Sequence, residues 1–277
     1  MAFKERNIIL CLKSKELWLK LRDKNTRFLH LSTIIRHKRN NINAIHDDNG
    51  AWIMEANSIR KLFLDSYKEL FKREEISFPP HLEHLVLPCI TKDENSELCR
   101  IPTLDEIKTT LFNMSDLKAP GPNGYPVLFY KQLWPTIGED VIKAVTSFFT
   151  IGFMPREVNC SLIMLIPKIT NPSSTHHFKP ISLCNVVYKI ISKLLVAKLK
   201  PHLDKIISPA QSAFIPNRWI VENQVMVQEI LHSFKSSKTK PGLMAIKLDL
   251  QKAYDRVTWE FIHAVLLHLG FNEVFFN

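Results

Sequence analysis

The stretch "MAIKLDLQKAYDRVTWEF", residues 244–261, decides how the chain is interpreted, because it places a lone acid at the end of an apolar pattern. Apolar and other residues alternate from Met244 to Asp249, which is the period of a strand with one buried face. We expect a buried strand with Asp249 at its open end, since a carboxylate within such a strand is costly unless it meets a cation or solvent. Two roles stay open for Asp249: it could bind a metal ion, or it could cap the following turn or pair with Lys252 or Arg256. On spacing alone the second role is favoured.

Composition narrows the class of protein. The chain has 277 residues, 45% hydrophobic and 23% charged, which suits one large or two modest globular domains. Its five cysteines are scattered and never spaced as CxxC, so we expect a reducing compartment and no cysteine-rich zinc site. No apolar run approaches the roughly 20 residues that a membrane span needs. These features predict an intracellular protein with no membrane contact.

The positive charge is concentrated at the N-terminus. The net charge is +10, and residues 1–39 hold eleven Lys or Arg against three Asp or Glu, a net +8. Such a segment suits a polyanion partner, although a solvated helix face explains the charge equally well. Trp18, Phe28 and His30 lie among the charges and favour nucleic acid. The residues that we expect to contact nucleic acid are Lys20, Arg22, Lys24, Arg27, Arg36, Lys38 and Arg39.

Periodicity predicts an α+β fold. Helical spacing indicates helices over much of the chain, and Asn49-Gly50 predicts a tight hairpin. The apolar run "SLIMLIPK", residues 161–168, predicts a buried strand, and "FKPISL", residues 178–183, predicts a returning strand. We divide the chain into a basic, mainly helical N-terminal segment (1–75), a linker (76–102) and a second domain (103–277).

Several motifs follow one another along the chain, and their combined order is more specific than any single motif. They are "KAPGPNG" (118–124), "LIPK" (165–168), "FKPISLCNVVYKIISKLL" (178–195), "QSAFIPNR" (211–218), "VENQVMVQEILHSF" (221–234) and "KLDLQKAYDRVTWEF" (247–261). In this order they resemble the reverse transcriptases of plant LINE-type (non-LTR) retrotransposons. The basic segment at residues 18–42 is similar to the stretch that precedes the polymerase in those elements.

The resemblance implies the fingers and partial palm of a right-hand polymerase, preceded by a basic helical segment. The implied activity is RNA-directed DNA synthesis on an RNA template with a DNA primer and deoxynucleoside triphosphates. The family's paired aspartates and thumb are expected beyond Asn277, so we expect only the N-terminal portion here, truncated and inactive as an isolated chain. Whether the chain is itself an enzyme stays open. The alternatives are a non-catalytic nucleic-acid-binding remnant and a fragment that folds poorly because its strand edges are unpaired. An intracellular location is expected, with the nucleus as one candidate; the oligomeric state is not implied.

The resemblance also implies roles for individual residues. Asp249 matches the first catalytic aspartate, a magnesium ligand, and Leu250 would offer its backbone carbonyl to the same ion. Magnesium is expected in the complete enzyme and only weakly, or not at all, in this chain. Tyr254 matches the aromatic residue beneath the sugar of the incoming nucleotide, where its bulk excludes a 2′-hydroxyl. Lys168 and Lys179 fall on the fingers strands, where cations would hold the triphosphate.

Three positions depart from the family pattern. Lys179 replaces the usual arginine, so a point charge stands in for a bidentate fork. Asn123 stands where aspartate is usual, and Asn217 stands where glycine commonly precedes the arginine. These departures are consistent with drift in an element copy that is no longer selected for activity.

Overall fold

The structure, a computed structural model, describes residues 40–47, 49–72, 78, 85–236, 243–250 and 253–276, together with residues 31, 34, 35 and 38. The strands are β1 (Ile45–His46), β2 (Trp52–Ile53), β3 (Ser161–Pro167) and β4 (Phe178–Cys184). The helices are α1 (Ala56–Leu70), α2 (Lys92–Cys99), α3 (Leu104–Phe112), α4 (Val127–Gln132), α5 (Trp134–Ile151), α6 (Arg156–Asn159), α7 (Val186–Leu199), α8 (Leu203–Ile206), α9 (Ile220–Ser236), α10 (Ala253–Arg256), α11 (Trp259–His268) and α12 (Glu273–Phe276). Short 3-10 turns occupy Thr175–His177 and Lys200–His202.

The described residues fall into two compact units, each made of two separate parts of the chain. The first unit lies within Met1–Lys72 and Pro102–Ser192, and the second within Arg73–Ile101 and Lys193–Asn277. Helices and strands are mixed in the first unit, as the α+β prediction requires.

The first unit contains the hairpin that Asn49-Gly50 predicts. Strands β1 and β2 pair antiparallel, and Gly50 takes φ 80°, a left-handed conformation that glycine adopts without steric cost. The Asp47 carboxylate accepts hydrogen bonds from the backbone N–H groups of Asn49 at 3.0 Å and Ala51 at 2.8 Å. Asp47 therefore serves the turn, as its position before Asn-Gly predicts.

The strands predicted from residues 161–168 and 178–183 are confirmed as the antiparallel hairpin β3–β4, in register from Ser161 opposite Cys184 to Pro167 opposite Phe178. Phe178 is buried and packs in one cluster with Ile45, Ile59 and Phe63. The prediction that the whole of β3 is buried is wrong, because its residues from Ser161 to Met164 are exposed. Within the described residues this sheet has only two strands, which leaves that part of the hairpin uncovered.

The helices of the first unit begin and end at residues that the sequence marks. Helix α3 begins with a capping box, for which Thr103 and Glu106, three residues apart, are the typical residues: the Thr103 backbone N–H donates to the Glu106 carboxylate at 2.6 Å, and the Glu106 N–H donates to the Thr103 hydroxyl at 3.3 Å. Helix α5 ends at Gly152, which has φ 75°. Helices α3, α4 and α5 pack against one another and bury Ile107 and Val145.

In the second unit, the structure differs from the linker expected over residues 76–102. Residues 92–99 of that range form helix α2, whose Leu98 is buried with Ile90, Leu269 and Phe271. The Cys89 backbone N–H donates to the Leu269 carbonyl at 2.9 Å. The partners of this segment lie far along the chain, so its own acidic, proline-containing composition does not reveal the core that it joins.

Helix α2 also carries Glu94, whose pKa is lowered further than that of any other acid among the described residues. The Glu94 carboxylate accepts from the Lys205 ammonium, from the Thr91 backbone N–H at 2.9 Å and from the Thr91 hydroxyl at 3.1 Å. The hydrogen bond from Lys205, followed by that from the Thr91 backbone, lowers the pKa of Glu94 to about 2. This carboxylate joins the start of α2 to α8.

The strand predicted at Met244–Asp249 is wrong for the described structure. Residues 243–250 have no regular secondary structure, and Leu248 is 85% exposed. A strand forms only where another backbone accepts and donates its hydrogen bonds, and none of the described strands lies beside this segment. Among the described helices, none is long and apolar enough to cross a lipid bilayer.

Candidate functional site

The hairpin β3–β4 brings two of the expected nucleotide-binding residues together. Lys179 pairs with Ile166 in the register, and Lys168 follows Ile166 by two positions, which places the two lysines diagonally on one face of the hairpin. Residues in that relation lie about 7–8 Å apart. The Lys168 backbone N–H donates to the His177 carbonyl at 2.8 Å, which continues the ladder and holds Lys168 beside the strand end.

Both lysines are exposed, and the residues that the structure describes form no ion pair with either ammonium group. The Lys168 ammonium donates only weakly, at 3.3 Å, to the His176 carbonyl. Two neighbouring like charges repel each other, so an anion placed between them would be attracted to both. The pair is therefore suited to a phosphate-bearing ligand.

The "KAPGPNG" loop is held against the junction between β4 and α7. Asn185 is buried there, and its side-chain oxygen accepts from the Asn123 backbone N–H at 3.2 Å. Its side-chain nitrogen donates to the Glu157 carbonyl at 2.8 Å. Gly121 approaches so closely that a Cβ there would lie 2.4 Å from the Asn185 backbone nitrogen. Asn185 thus connects this loop with the segment before β3.

Asn123 uses its amide in both directions. Its nitrogen donates to the Tyr130 hydroxyl at 3.3 Å, and its oxygen accepts from the Tyr125 backbone N–H at 3.2 Å. Burial raises the pKa of Tyr130, and the hydrogen bond from Asn123 opposes that shift. The Asn123 side chain, at a position where the resemblance predicts an aspartate, is thus held in the loop as both a hydrogen-bond donor and an acceptor.

One lysine of α7 closes the same loop. The Lys189 ammonium donates to the Ala119 carbonyl at 2.8 Å. Burial lowers the pKa of Lys189, and the nearby Lys118 adds to that effect while Cys184 opposes it. Lys189 therefore stabilises the loop instead of serving as a free surface cation.

In the second unit, Arg218 organises the "QSAFIPNR" loop. Its guanidinium donates to the carbonyls of Ser208 at 2.6 Å and Gln211 at 2.8 Å, and to the Asp204 carboxylate at 3.1 Å. Asn217, just before it, has φ 63°. Asparagine tolerates this left-handed conformation better than most residues, which explains why it can replace the glycine of the family pattern there.

The expected catalytic residues belong to the second unit and are exposed. Asp249 and Leu250 lie in the irregular segment 243–250, and Tyr254 lies in the single-turn helix α10. Tyr254 forms an edge-to-face contact with Phe214, with ring centroids 6.4 Å apart. Asp249 is thus exposed to solvent, as expected for an acid at the open end of a strand. The expected strand itself is not formed by residues 243–250.

The donors around Asp249 suit magnesium chemically but are few. A carboxylate and a backbone carbonyl are hard oxygen ligands of the kind that Mg²⁺ prefers. Among the residues that the structure describes, no group of three or more His, Cys, Asp or Glu side chains is placed to hold a metal ion. Within the described part of the chain, Asp249 and Leu250 therefore offer only two oxygen donors to a metal ion.

The expected nucleic-acid-binding arm lies mostly outside the described residues. This applies to Lys20, Arg22, Lys24, Arg27, Arg36 and Arg39. Lys38 alone of that set is described, and it occupies an exposed helical position. The contribution of the arm stays a prediction.

The sequence pattern indicates the cations and the acid but assigns no role to Asn185, Arg218 and Phe214, which in the structure hold two loops and contact Tyr254. Asn185 stands between a strand and a helix, where asparagine is a common helix cap, and this signal could have drawn attention to it. Arg218 follows a Pro-Asn pair at the end of a loop. Phe214 had no distinguishing signal, since its exposure and its contact with Tyr254 exist only in the folded chain.

Comparison with known proteins agrees with these observations. Residues 166–276 match the family "Reverse transcriptase (RNA-dependent DNA polymerase)". The chain is 29% identical over 255 residues, 91% of its length, to the transposon TX1 uncharacterized 149 kDa protein of Xenopus laevis. It is 23% identical over 153 residues (55% of its length) to the retrovirus-related Pol polyprotein from the type-2 retrotransposable element R2DM of Drosophila melanogaster. It is 27% identical over 165 residues (59%) to that from the type-1 retrotransposable element R2 of Nasonia vitripennis.

The matched regions are small parts of those relatives. The chain covers 19% of the Xenopus protein, 14% of the Drosophila polyprotein and 15% of the Nasonia polyprotein. The matched residues 166–276 include both hairpin lysines, Asp249 and Tyr254. Residues 166–276 are therefore similar to the reverse transcriptase family, and the relatives that the chain matches are proteins of transposable elements.

Proposed function

We propose that this chain contributes the nucleotide-binding surface and the first catalytic aspartate of an RNA-directed DNA polymerase. The observation that carries the proposal is the pair of exposed lysines, Lys168 and Lys179, which lie diagonally on one face at the end of the β3–β4 hairpin, within the matched region. The fold that we propose is the fingers and partial palm of a right-hand polymerase from a plant LINE-type element.

Each residue has a distinct proposed role. Lys168 and Lys179 bind the triphosphate of a deoxynucleotide, because two adjacent ammonium groups offset part of its charge. The Tyr254 ring lies against the sugar and excludes a 2′-hydroxyl. Asp249 and the Leu250 carbonyl would hold Mg²⁺, which in a polymerase stabilises charge on the phosphates.

The polymer substrates are proposed from charge. An RNA template and a DNA primer would contact the basic arm in residues 1–39, since cations that neutralise phosphates release counterions. An intracellular, nuclear location would suit such a substrate.

A second candidate, a non-catalytic nucleic-acid-binding remnant, is favoured by one observation. The residues that the structure describes provide no group of metal ligands around Asp249. A hydrated Mg²⁺ ion is held weakly by one carboxylate. We therefore expect no primer extension by the purified chain on a primed RNA template, either for the wild type or for Asp249→Ala. Extension by the wild type that disappears in Asp249→Ala would contradict this second candidate function and show that further metal ligands exist.

The proposed nucleotide site is tested by photolabelling the purified chain with a photoactivatable deoxynucleoside triphosphate in the presence of Mg²⁺. We expect Lys168→Ala and Lys179→Ala each to weaken labelling about tenfold, the loss of one charge-assisted hydrogen bond. Lys179→Arg should preserve or strengthen labelling, because a guanidinium offers a bidentate fork.

The matched control is Lys143→Ala, since Lys143 is an exposed lysine of the same unit that lies on α5 and pairs with Glu139. Competition by unlabelled deoxynucleotide and ribonucleotide measures the role of Tyr254. Tyr254→Ala should bring the concentrations at which the two competitors halve the labelling closer together. Equal labelling by wild type, Lys168→Ala and Lys179→Ala would overturn the nucleotide site.

A further inference from the structure

Two aromatic rings meet at the surface of the second unit. Phe214, in the loop before α9, and Tyr254, in α10, have ring centroids 6.4 Å apart and ring planes at 81°. Phe214 is 85% exposed and Tyr254 is 83% exposed. Packing within the chain therefore accounts for little of the surface of either ring, although the rings contact each other in a preferred geometry.

The backbone at Phe214 is in a conformation that phenylalanine rarely adopts. Its φ is 66°, in the left-handed region, where the Cβ of an L-residue is crowded. Such outliers persist only where the surrounding structure imposes them, and they cluster at ligand sites. The position of this ring thus costs stability and gains almost no burial in return.

The loop that presents Phe214 is held from both sides. The Arg218 guanidinium donates to the carbonyls of Ser208 and Gln211, at 2.6 Å and 2.8 Å. The Asn223 side chain of α9 donates to the hydroxyl of the buried Ser212 at 2.7 Å. These contacts fix the backbone on either side of Phe214, so its ring direction is set by the loop.

We propose that Phe214 is a positioning residue that fixes the Tyr254 ring and so sharpens the preference for deoxynucleotides. The proposal rests on the function proposed above for Tyr254. An exposed tyrosine on a single-turn helix has free rotamers. A ring that excludes one hydroxyl must keep its place to a fraction of an ångström, since a rotamer change would admit the 2′-oxygen. The edge-to-face contact with Phe214 supplies that restraint.

The geometry is tested by ¹⁹F NMR on the full chain labelled with 3-fluorotyrosine. The chain has five tyrosines, and Tyr254→Phe assigns the resonance of Tyr254. Phe214→Leu removes the ring but keeps an apolar side chain with a Cβ at the same φ, so the backbone strain is matched. We expect Phe214→Leu to shift the Tyr254 resonance, and Phe214→Tyr, which keeps a ring, to shift it less. Phe153→Leu, at an exposed phenylalanine of the first unit, is the control and should leave it unchanged.

The functional consequence is measured by competition of deoxynucleotide and ribonucleotide against the photolabel. Phe214→Leu should reduce the preference for deoxynucleotide severalfold without weakening labelling itself, because the lysines that bind the triphosphate are untouched. Phe214→Tyr should keep most of the preference. A residue with only a structural role would change labelling and leave the ratio constant.

The outcomes separate this inference from the proposed function. If Phe214→Leu leaves the Tyr254 resonance in place, the rings are not paired in solution and the inference fails. Phe214→Leu could shift the Tyr254 resonance and still leave the preference for deoxynucleotide unchanged, while Tyr254→Ala lowers that preference. In that case the rings are paired but Phe214 does not position Tyr254, and this inference alone fails. If Tyr254→Ala itself leaves the preference unchanged, the sugar-gating role of Tyr254 is wrong, and this inference falls with it.

Discussion

Replacing Gly121 by alanine should destabilise the first unit more than any other glycine-to-alanine change in the "KAPGPNG" loop. A Cβ at position 121 would lie 2.4 Å from the Asn185 backbone nitrogen, 2.5 Å from the Asn185 side-chain oxygen and 2.5 Å from the Cys184 carbonyl carbon. Ordinary contacts between such atoms are about 3.5–4 Å. The loop must therefore move away from the β4–α7 junction by about 1 Å.

The magnitude follows from two costs. Overpacking of this kind costs about 1–3 kcal/mol. The displacement also breaks the hydrogen bond from the Asn123 N–H to Asn185, which leaves polar atoms of a buried side chain unpaired at a further cost of about 1–3 kcal/mol. We expect Gly121→Ala to lower the free energy of unfolding by about 2–6 kcal/mol, a large share of the roughly 5–15 kcal/mol typical of a domain.

Urea denaturation followed by circular dichroism measures this loss, and Gly124→Ala is the matched control. Gly124 has φ 78° and no atom within 4 Å of a built Cβ, so its replacement costs only backbone strain, about 1–2 kcal/mol. Adding Asn185→Ala to Gly121→Ala should not restore stability, because two of the three crowded atoms belong to the backbone. A Gly121→Ala protein within about 0.5 kcal/mol of wild type would refute the docking of this loop.

The remaining predictions concern charge. The pKa of Glu94 is lowered from 4.5 to about 2 on folding, so its stabilising contribution is present above pH 4.5 and is lost as the pH falls toward 2. Glu94→Gln should make the free energy of unfolding decrease less between pH 4.5 and 2 than in the wild type, as measured by urea titration at each pH. If the free energy of unfolding depends on pH in the same way in both proteins, the pairing of Glu94 with Lys205 is absent in solution. Deletion of residues 1–39 removes a net charge of +8 and should lower both RNA affinity and its dependence on salt concentration, measured by fluorescence anisotropy. If affinity and salt dependence stay the same, the arm is a solvated face.

Features that depend on a few neighbouring residues could be predicted from the sequence. The Asn49-Gly50 turn, the Thr103 capping box and the strands β3 and β4 are where the pattern places them. Each is determined locally: a turn needs a residue that tolerates positive φ, and a cap needs an oxygen three residues from its donor. The adjacency of Lys168 and Lys179 follows from the hairpin register, so this part of the candidate site was accessible from sequence too.

Features that depend on distant partners were decided by the tertiary structure. Leu98 is buried because Leu269 and Phe271 pack on it, and Gly121 is required because Asn185 lies against it. The apolar alternation at Met244–Asp249 is typical of a strand, yet residues 243–250 form no strand. A helix satisfies its hydrogen bonds within its own segment, whereas a strand must find them on another backbone. Apolar alternation therefore determines which face of such a segment could be buried, and only the presence of a neighbouring strand decides whether it is.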